Sequence, residues 1–298
     1  MEFAMNKKAM KVIRLLGVCS VMLTANIVEA KDILTATPVT YMVSSELTKG
    51  TGLSTQYLPP KRYGMMRLPN WFTSKGAEST AELATEATAV VTIGAVWPQD
   101  PLYVHARKGN IRIVEIDASQ SISPRAQGVA ALRLDNGMIS PFTWLNPSNL
   151  TRMVAIVSQD LQQLWPEHAT KIAENQQQLM VAIRALTNRQ QASLFEAEVD
   201  SVILMSQELE DFAAGNQLFV VGRYTKPELD WSQQDKQELI EALKTEPNVW
   251  ILTTRKLSKP LLKQLPNPDR VMIIDPIDRW GSKGIDSSDP LSRWEIKI

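Results

Sequence analysis

The segment from Pro166 to Phe195 constrains this chain more than any other. It contains no glycine, and its only proline stands at its first position. Ile172, Leu179, Ile183, Leu186 and Leu194 recur along it at helical spacing, which predicts one stiff helix of about six or seven turns. A rod of that length in mid-chain reads as a strut that crosses between two packed halves.

Both halves alternate strand and helix. Before the rod, Ile33–Thr37, Leu53–Leu58, Ala89–Ile93 and Ile111–Ile116 read as strands, with helices over Val39–Lys49, Ala77–Ala87 and Pro101–Lys108. Asn146 and Pro147 supply a cap and a first-turn proline for an amphipathic helix that ends at Trp165-Pro166. After the rod, strands are expected at Ser201–Met205, Leu218–Val221, Val249–Leu252 and Val271–Ile274. Ser232 and Asp235 cap a helix between them. Strands separated by helices of this length argue for parallel sheets covered on both faces. The predicted fold class is α/β, with two doubly wound lobes joined by one long rigid helix and a ligand cleft between them. The expected boundaries are 1–30 for a signal peptide, 31–165 for the first lobe, 166–195 for the helix and 196–298 for the second lobe. A single larger α/β domain fits the same pattern.

Residues 1–30 have the layout of a secretory signal. Lys7, Lys8, Lys11 and Arg14 precede an apolar run, and Val28-Glu29-Ala30 offers a cleavage site. The expected localisation is periplasmic, with the cut near Ala30. Cys19 lies inside the apolar run behind Val18, which disfavours lipidation. No later apolar run is long enough to span a bilayer.

Composition narrows the function. The 32 basic and 32 acidic side chains leave no basic surplus for nucleic-acid binding. Cys19 is the only cysteine, and His105 and His168 are the only histidines, so centres built from several of either are excluded. Both histidines are expected on solvated surfaces. There is no Gly-rich phosphate loop and no G-x-S-x-G elbow, and the parts of a Ser-His or Cys-His mechanism are missing. An enzyme is not expected.

In parallel α/β sheets, ligands bind beyond the carboxyl ends of the strands. Four loops stand there: Pro59–Met66, Ser140–Pro147, Met205–Glu208 and Asp275–Asp278. Trp97-Pro98-Gln99 is a candidate cleft wall. Trp144 is expected in the core, with its indole N–H seeking an acceptor. The twelve methionines are scattered, apart from the pair Met65-Met66.

At these residues the chain resembles the periplasmic zinc- and manganese-binding receptors of ABC importers. Trp144-Leu145-Asn146-Pro147 opening an amphipathic helix and the double proline Pro59-Pro60 carry the likeness, which spans nearly the whole chain after residue 30. The resemblance implies two lobes, a monomer, a membrane ABC permease as partner, and a divalent metal ion or other small solute as the transported ligand. It also implies four ligand positions. Met65 (or Met66) stands at the first and Phe142 at the second. Gln207 takes the third, with Glu208 beside it, and Asp275 the fourth. Only Asp275 keeps a family-type ligand. Zinc sites are built from cysteine, histidine and carboxylate, and Phe142 offers no lone pair. Asp275, Gln207 and Glu208 suit a harder ion if Glu208 turns inward. The expected function is the solute-binding component of a metal-type importer with a rebuilt or degenerate metal site. The alternatives are an interaction or accessory protein on the same scaffold that no longer binds metal, and a receptor for a small organic or chelated solute.

Overall fold

The computed structural model describes residues 32–121 and 127–298. The expected signal peptide, with Cys19, falls outside them. The first half runs β1 (Ile33–Thr35), α1 (Pro38–Leu47), β2 (Thr55–Tyr57), α2 (Leu68–Phe72), α3 (Ala77–Ala84), β3 (Ala89–Thr92), α4 (Leu102–Gly109) and β4 (Val114–Asp117). Then come α5 (Pro147–Leu164) and the long helix α6 (Ala169–Glu196). The second half follows as β5 (Ser201–Leu204), α7 (Glu210–Gly215), β6 (Phe219–Arg223), α8 (Gln233–Thr245), β7 (Trp250–Thr253), α9 (Lys259–Leu262) and β8 (Val271–Ile273).

The strands form two four-stranded sheets, ordered β2-β1-β3-β4 and β6-β5-β7-β8. Every pairing is parallel. The fold is therefore α/β with two sheets and a rod, as expected. Both sheets have one order, so in each the loops diverge on either side of the first strand. That divergence opens a crevice at the carboxyl ends. Some strands are shorter than predicted because their partners run out. β2 pairs only with the three residues of β1, from Ile33↔Thr55 to Thr35↔Tyr57.

Local signals explain the helix ends. Asn146 caps α5 by accepting the Ser148 N–H at 3.0 Å, with Pro147 in the first turn. Ser232 and Asp235 make a reciprocal capping box on α8. A single 3-10 turn, Pro166–His168, leads directly into α6. On α6, buried Asn175 donates to the carbonyls of Leu47 and Lys49 at 2.9 and 2.8 Å, satisfying groups left open where α1 ends. Near the other end, Gln190 donates to the Trp294 carbonyl at 2.6 Å. Arg189 pairs there with Glu295.

The main apolar core is continuous. It includes Val90 and Phe72 of the first half, Ile183 of the rod, and Leu204 and Met272 of the second sheet. A smaller cluster around Leu239 and Ile251 backs the second sheet.

Both histidine expectations need correction. His105 is buried, with its ring centroid 5.7 Å from that of Phe72. The reason is close helix packing: a Cβ on Gly109 would stand 1.9 Å from the Ala81 carbonyl oxygen, so α4 lies hard against α3. Burial, with Lys108 nearby, pushes the His105 pKa down. His168 is half-buried at the entry to α6. Among the described residues, no helix is long and apolar enough to cross a membrane.

Candidate functional site

The carboxyl ends of both sheets border one cleft of about 1130 Å³. Trp97 and Gln99 after β3, Phe142 before α5, Gln207 after β5, Arg255 after β7 and Asp275 after β8 all line it. The Trp97-Pro98-Gln99 wall is thus where the sequence placed it. Asp100 holds that wall by accepting the N–H groups of Ile93 and Leu102 at 3.0 and 3.1 Å. Burial raises its pKa to about 6, the two N–H bonds oppose the rise, and nearby Asp117 and Glu115 add to it.

The four positions carried over from the resemblance fare differently. Phe142, Gln207 and Asp275 share the cleft, and Glu208 joins them. Met65 does not. It is 2% exposed and sits in the apolar core, while Met66 beside it is 83% exposed and lines the cleft. A 3-10 turn over Met65–Arg67 explains the exchange, because successive residues there point to different sides. The Met65 backbone is also occupied: its N–H donates to the Asp278 carbonyl at 3.2 Å.

Phe142 packs beside Trp144, with ring centroids 5.3 Å apart. Trp144 is fully buried, and its indole donates to the Pro276 carbonyl at 3.0 Å. In turn the Trp294 indole donates to the Trp144 carbonyl at 2.9 Å. The acceptor expected for Trp144 therefore comes from the loop that begins at Asp275.

Asp275 is not a free ligand. Arg293 approaches it with Nε 3.0 Å from Oδ2 and Nη2 3.0 Å from Oδ1. The Ile277 N–H donates to Oδ1 at 2.9 Å, and Lys283 Nζ lies 3.9 Å from Oδ2. Burial alone would raise this carboxyl. The Arg293 and Ile277 bonds, with the charges of Arg293 and Lys283, outweigh burial and hold it below its ordinary value. Arg293 Nη1 meanwhile donates to the carbonyls of Arg279 and Trp280 at 2.9 and 3.3 Å. One buried guanidinium thus fixes the whole turn after β8.

That turn reaches the first half. Trp280 packs against Tyr41 and Tyr57, with ring centroids 4.8 and 4.7 Å apart. The Gly281 N–H donates to the Lys61 carbonyl at 2.7 Å. A Cβ on Gly64 would stand 2.3 Å from Asp278 Oδ2, so glycine is what permits this approach. Asp278 is itself tied twice to Arg279, at 2.8 Å each.

These contacts decide what the cleft can hold. Glu208 accepts the Ser206 hydroxyl at 2.9 Å. Among the described residues, no three His, Cys, Asp or Glu side chains form a group able to hold a metal ion. The sequence does not point to Arg279 and Lys283, which lie in irregular chain, or to Arg293, which lies in a short 3-10 turn near the C-terminus. Met66, Met138 and Met205, scattered along the sequence, line one cleft.

Two parallel sheets, a rod helix and one cleft at the strand ends define a bilobal binding-protein fold. The sequence profile of the family described as zinc-uptake complex component A, periplasmic (ZnuA) matches residues 73–287. That is well over half the chain, and the chain belongs to this family. Solved structures agree on the fold. A crystal structure of ZnuA matches with a TM-score of 0.63 at 20% identity, over 83% of this chain and 92% of that one. An FpvC mutant from Pseudomonas aeruginosa matches with a TM-score of 0.66 at 18% identity, over 87% and 93% of the two chains. A Zn(II)-bound variant of AdcAII from Streptococcus pneumoniae matches with a TM-score of 0.65 at 16% identity, over 89% and 95%. No curated protein matches the chain in sequence.

Proposed function

We propose that this chain is the solute-binding receptor of an ABC importer whose cleft has been rebuilt so that it no longer grips a bare transition-metal ion. The reading places it in the periplasm, exported by a signal peptide cut near Ala30, with lobes at 31–165 and 196–298 around the helix 166–195. It delivers its solute to a membrane permease and carries out no chemistry on it.

The observation that carries the reading is the Asp275–Arg293 pair. The Arg293 fork and the Ile277 N–H take three of the four acceptor positions of this carboxylate, and the charges of Arg293 and Lys283 neutralise it, so little attraction is left for a cation. The other carried-over positions do not complete a site. Phe142 has no donor atom, Met65 is enclosed in the core, Met66 in the cleft offers only a soft thioether, Gln207 supplies one neutral amide oxygen, and Glu208 is the single further carboxylate and accepts the Ser206 hydroxyl. Zinc is normally held by three or four nitrogen, sulfur or carboxylate ligands.

A melting-shift panel over Zn²⁺, Mn²⁺, Fe²⁺, Ni²⁺ and Cu⁺ tests this. An ion at a hundred times its Kd adds about 2.7 kcal/mol to the folded state. For a protein of this size that raises Tm by about 5–10 °C. The expected result is no such rise with any of the five. A rise specific to one ion, lost in Asp275→Ala, would overturn the reading.

A further inference from the structure

We infer that the solute is an organic anion rich in carboxylate or phosphate oxygen, drawn in by Arg255 and Lys283. This rests on the receptor reading above and names the chemical class of its ligand.

Charge is the first argument. The cleft lining carries four cations, Arg255, Arg279, Lys283 and Arg293, against three acids, Glu208, Asp275 and Asp278. Arg293 and Arg279 are each committed to one carboxylate by two bonds. Arg255 is exposed, and among the described residues no hydrogen bond or ion pair engages its guanidinium. The Lys283 side chain is 73% exposed and lies 3.9 Å from Asp275, whose oxygens are already claimed by Arg293. Arg255 is thus left without a carboxylate of its own, and the lining as a whole carries one positive charge more than it has acids. A cleft with low-dielectric walls focuses such a surplus, favouring anions and repelling bare cations.

Size is the second argument. A zinc site places its ligands about 2.0–2.3 Å from the ion. A cleft of about 1130 Å³ is instead on the scale of an organic ligand, for which pockets run about 300–1,000 Å³. Its walls also carry Met66 and Met138, exposed apolar side chains against which an organic body can pack.

The test uses benzene-1,3,5-tricarboxylate, its neutral triamide, and citrate with and without one equivalent of Fe³⁺, read by melting shift and calorimetry. We expect the tricarboxylate or citrate to stabilise the protein and the triamide not to. We expect Arg255→Gln with Lys283→Gln to weaken that binding about tenfold or more, and added salt to weaken it further. Both side chains are exposed, so the double variant keeps the fold, which its unliganded Tm verifies. Stronger binding of citrate with Fe³⁺ would identify a metal–carboxylate complex as the anion, and stronger binding of citrate alone a free one. Equal binding of the triamide, full binding by the double variant, or no response to either anion would overturn the inference while leaving the receptor reading in place. A response to Fe³⁺ or Zn²⁺ without any anion would overturn that reading as well.

Discussion

Arg293 holds Asp275 by two parallel bonds of 3.0 Å and, through the same guanidinium, two carbonyls of the turn after β8. The pair connects the last strand, the cleft floor and the C-terminal segment that rests on α6. Its side chain is only 7% exposed, so removing it strands a partly buried carboxylate. Arg293→Met is expected to cost about 3–5 kcal/mol of stability. Arg293→Lys should recover little, because an ammonium cannot present the planar fork. Urea unfolding of both variants, with Asp275→Asn and the double variant to complete a cycle, measures the coupling. A loss below about 1 kcal/mol in Arg293→Met would show that the turn does not depend on this pair.

Buried acids set a second expectation. Asp211 is 1% exposed, and its Oδ2 has no hydrogen-bond partner among the described residues. Burial raises its pKa to about 6, the Ser140 hydroxyl opposes the rise, and neighbouring Glu210 adds to it. A folded pKa above the unfolded value means that the native state holds the proton more tightly. The resulting stability is complete below the unfolded pKa and is lost as pH climbs through about 6. Asp275 acts in the opposite sense, stabilising the protein above its unfolded pKa and losing that contribution as pH falls through its lowered folded value. Asp211→Asn should therefore gain up to about 3 kcal/mol more, relative to the parent, at about pH 7.5 than at about pH 4. Denaturant melts at the two pH values check this; an equal effect at both would refute it.

The rod is anchored by an amide. Asn175 satisfies two carbonyls at the end of α1, and its burial leaves water no substitute route to them. Asn175→Leu should cost about 2–3 kcal/mol, since it leaves buried acceptors unmet. Exposed Val181 on the same helix provides the control: Val181→Ala should change stability by less than about 0.5 kcal/mol. Thermal unfolding of the two variants separates anchoring from helix propensity.

Gly64 predicts a geometric cost. An added methyl would meet Asp278 Oδ2 at 2.3 Å, and that carboxylate is tied to Arg279. Gly64→Ala should destabilise by about 1–3 kcal/mol. Asp278→Ala in the same chain should relieve part of this. Calorimetric melts of the single and double variants decide it.

Much of this architecture was legible because regular elements carry periodic signals. The apolar spacing of Ile172 to Leu194, the Asn146-Pro147 start and the Ser232/Asp235 box each encode a local geometry that survives in the folded chain. The cleft was legible only in outline. Loop positions at strand ends pointed to Phe142, Gln207 and Asp275, but not to what surrounds them. Asp275 and Arg293 lie 18 residues apart across chain with almost no regular structure, so no period links them. Met65 and Met66 are adjacent, and only the 3-10 turn decides which one enters the core. The burial of His105 is not legible in the sequence, because nothing in its own helix reveals how closely α3 approaches.

We propose that the cleft does not grip a bare transition-metal ion, with Asp275 engaged through both oxygens by Arg293. Metal analysis of the purified protein after equilibration with Zn²⁺ and dialysis against a chelator tests it most directly. Far less than one zinc per chain is expected. One zinc per chain that survives the chelator, and disappears in Asp275→Ala, would contradict it.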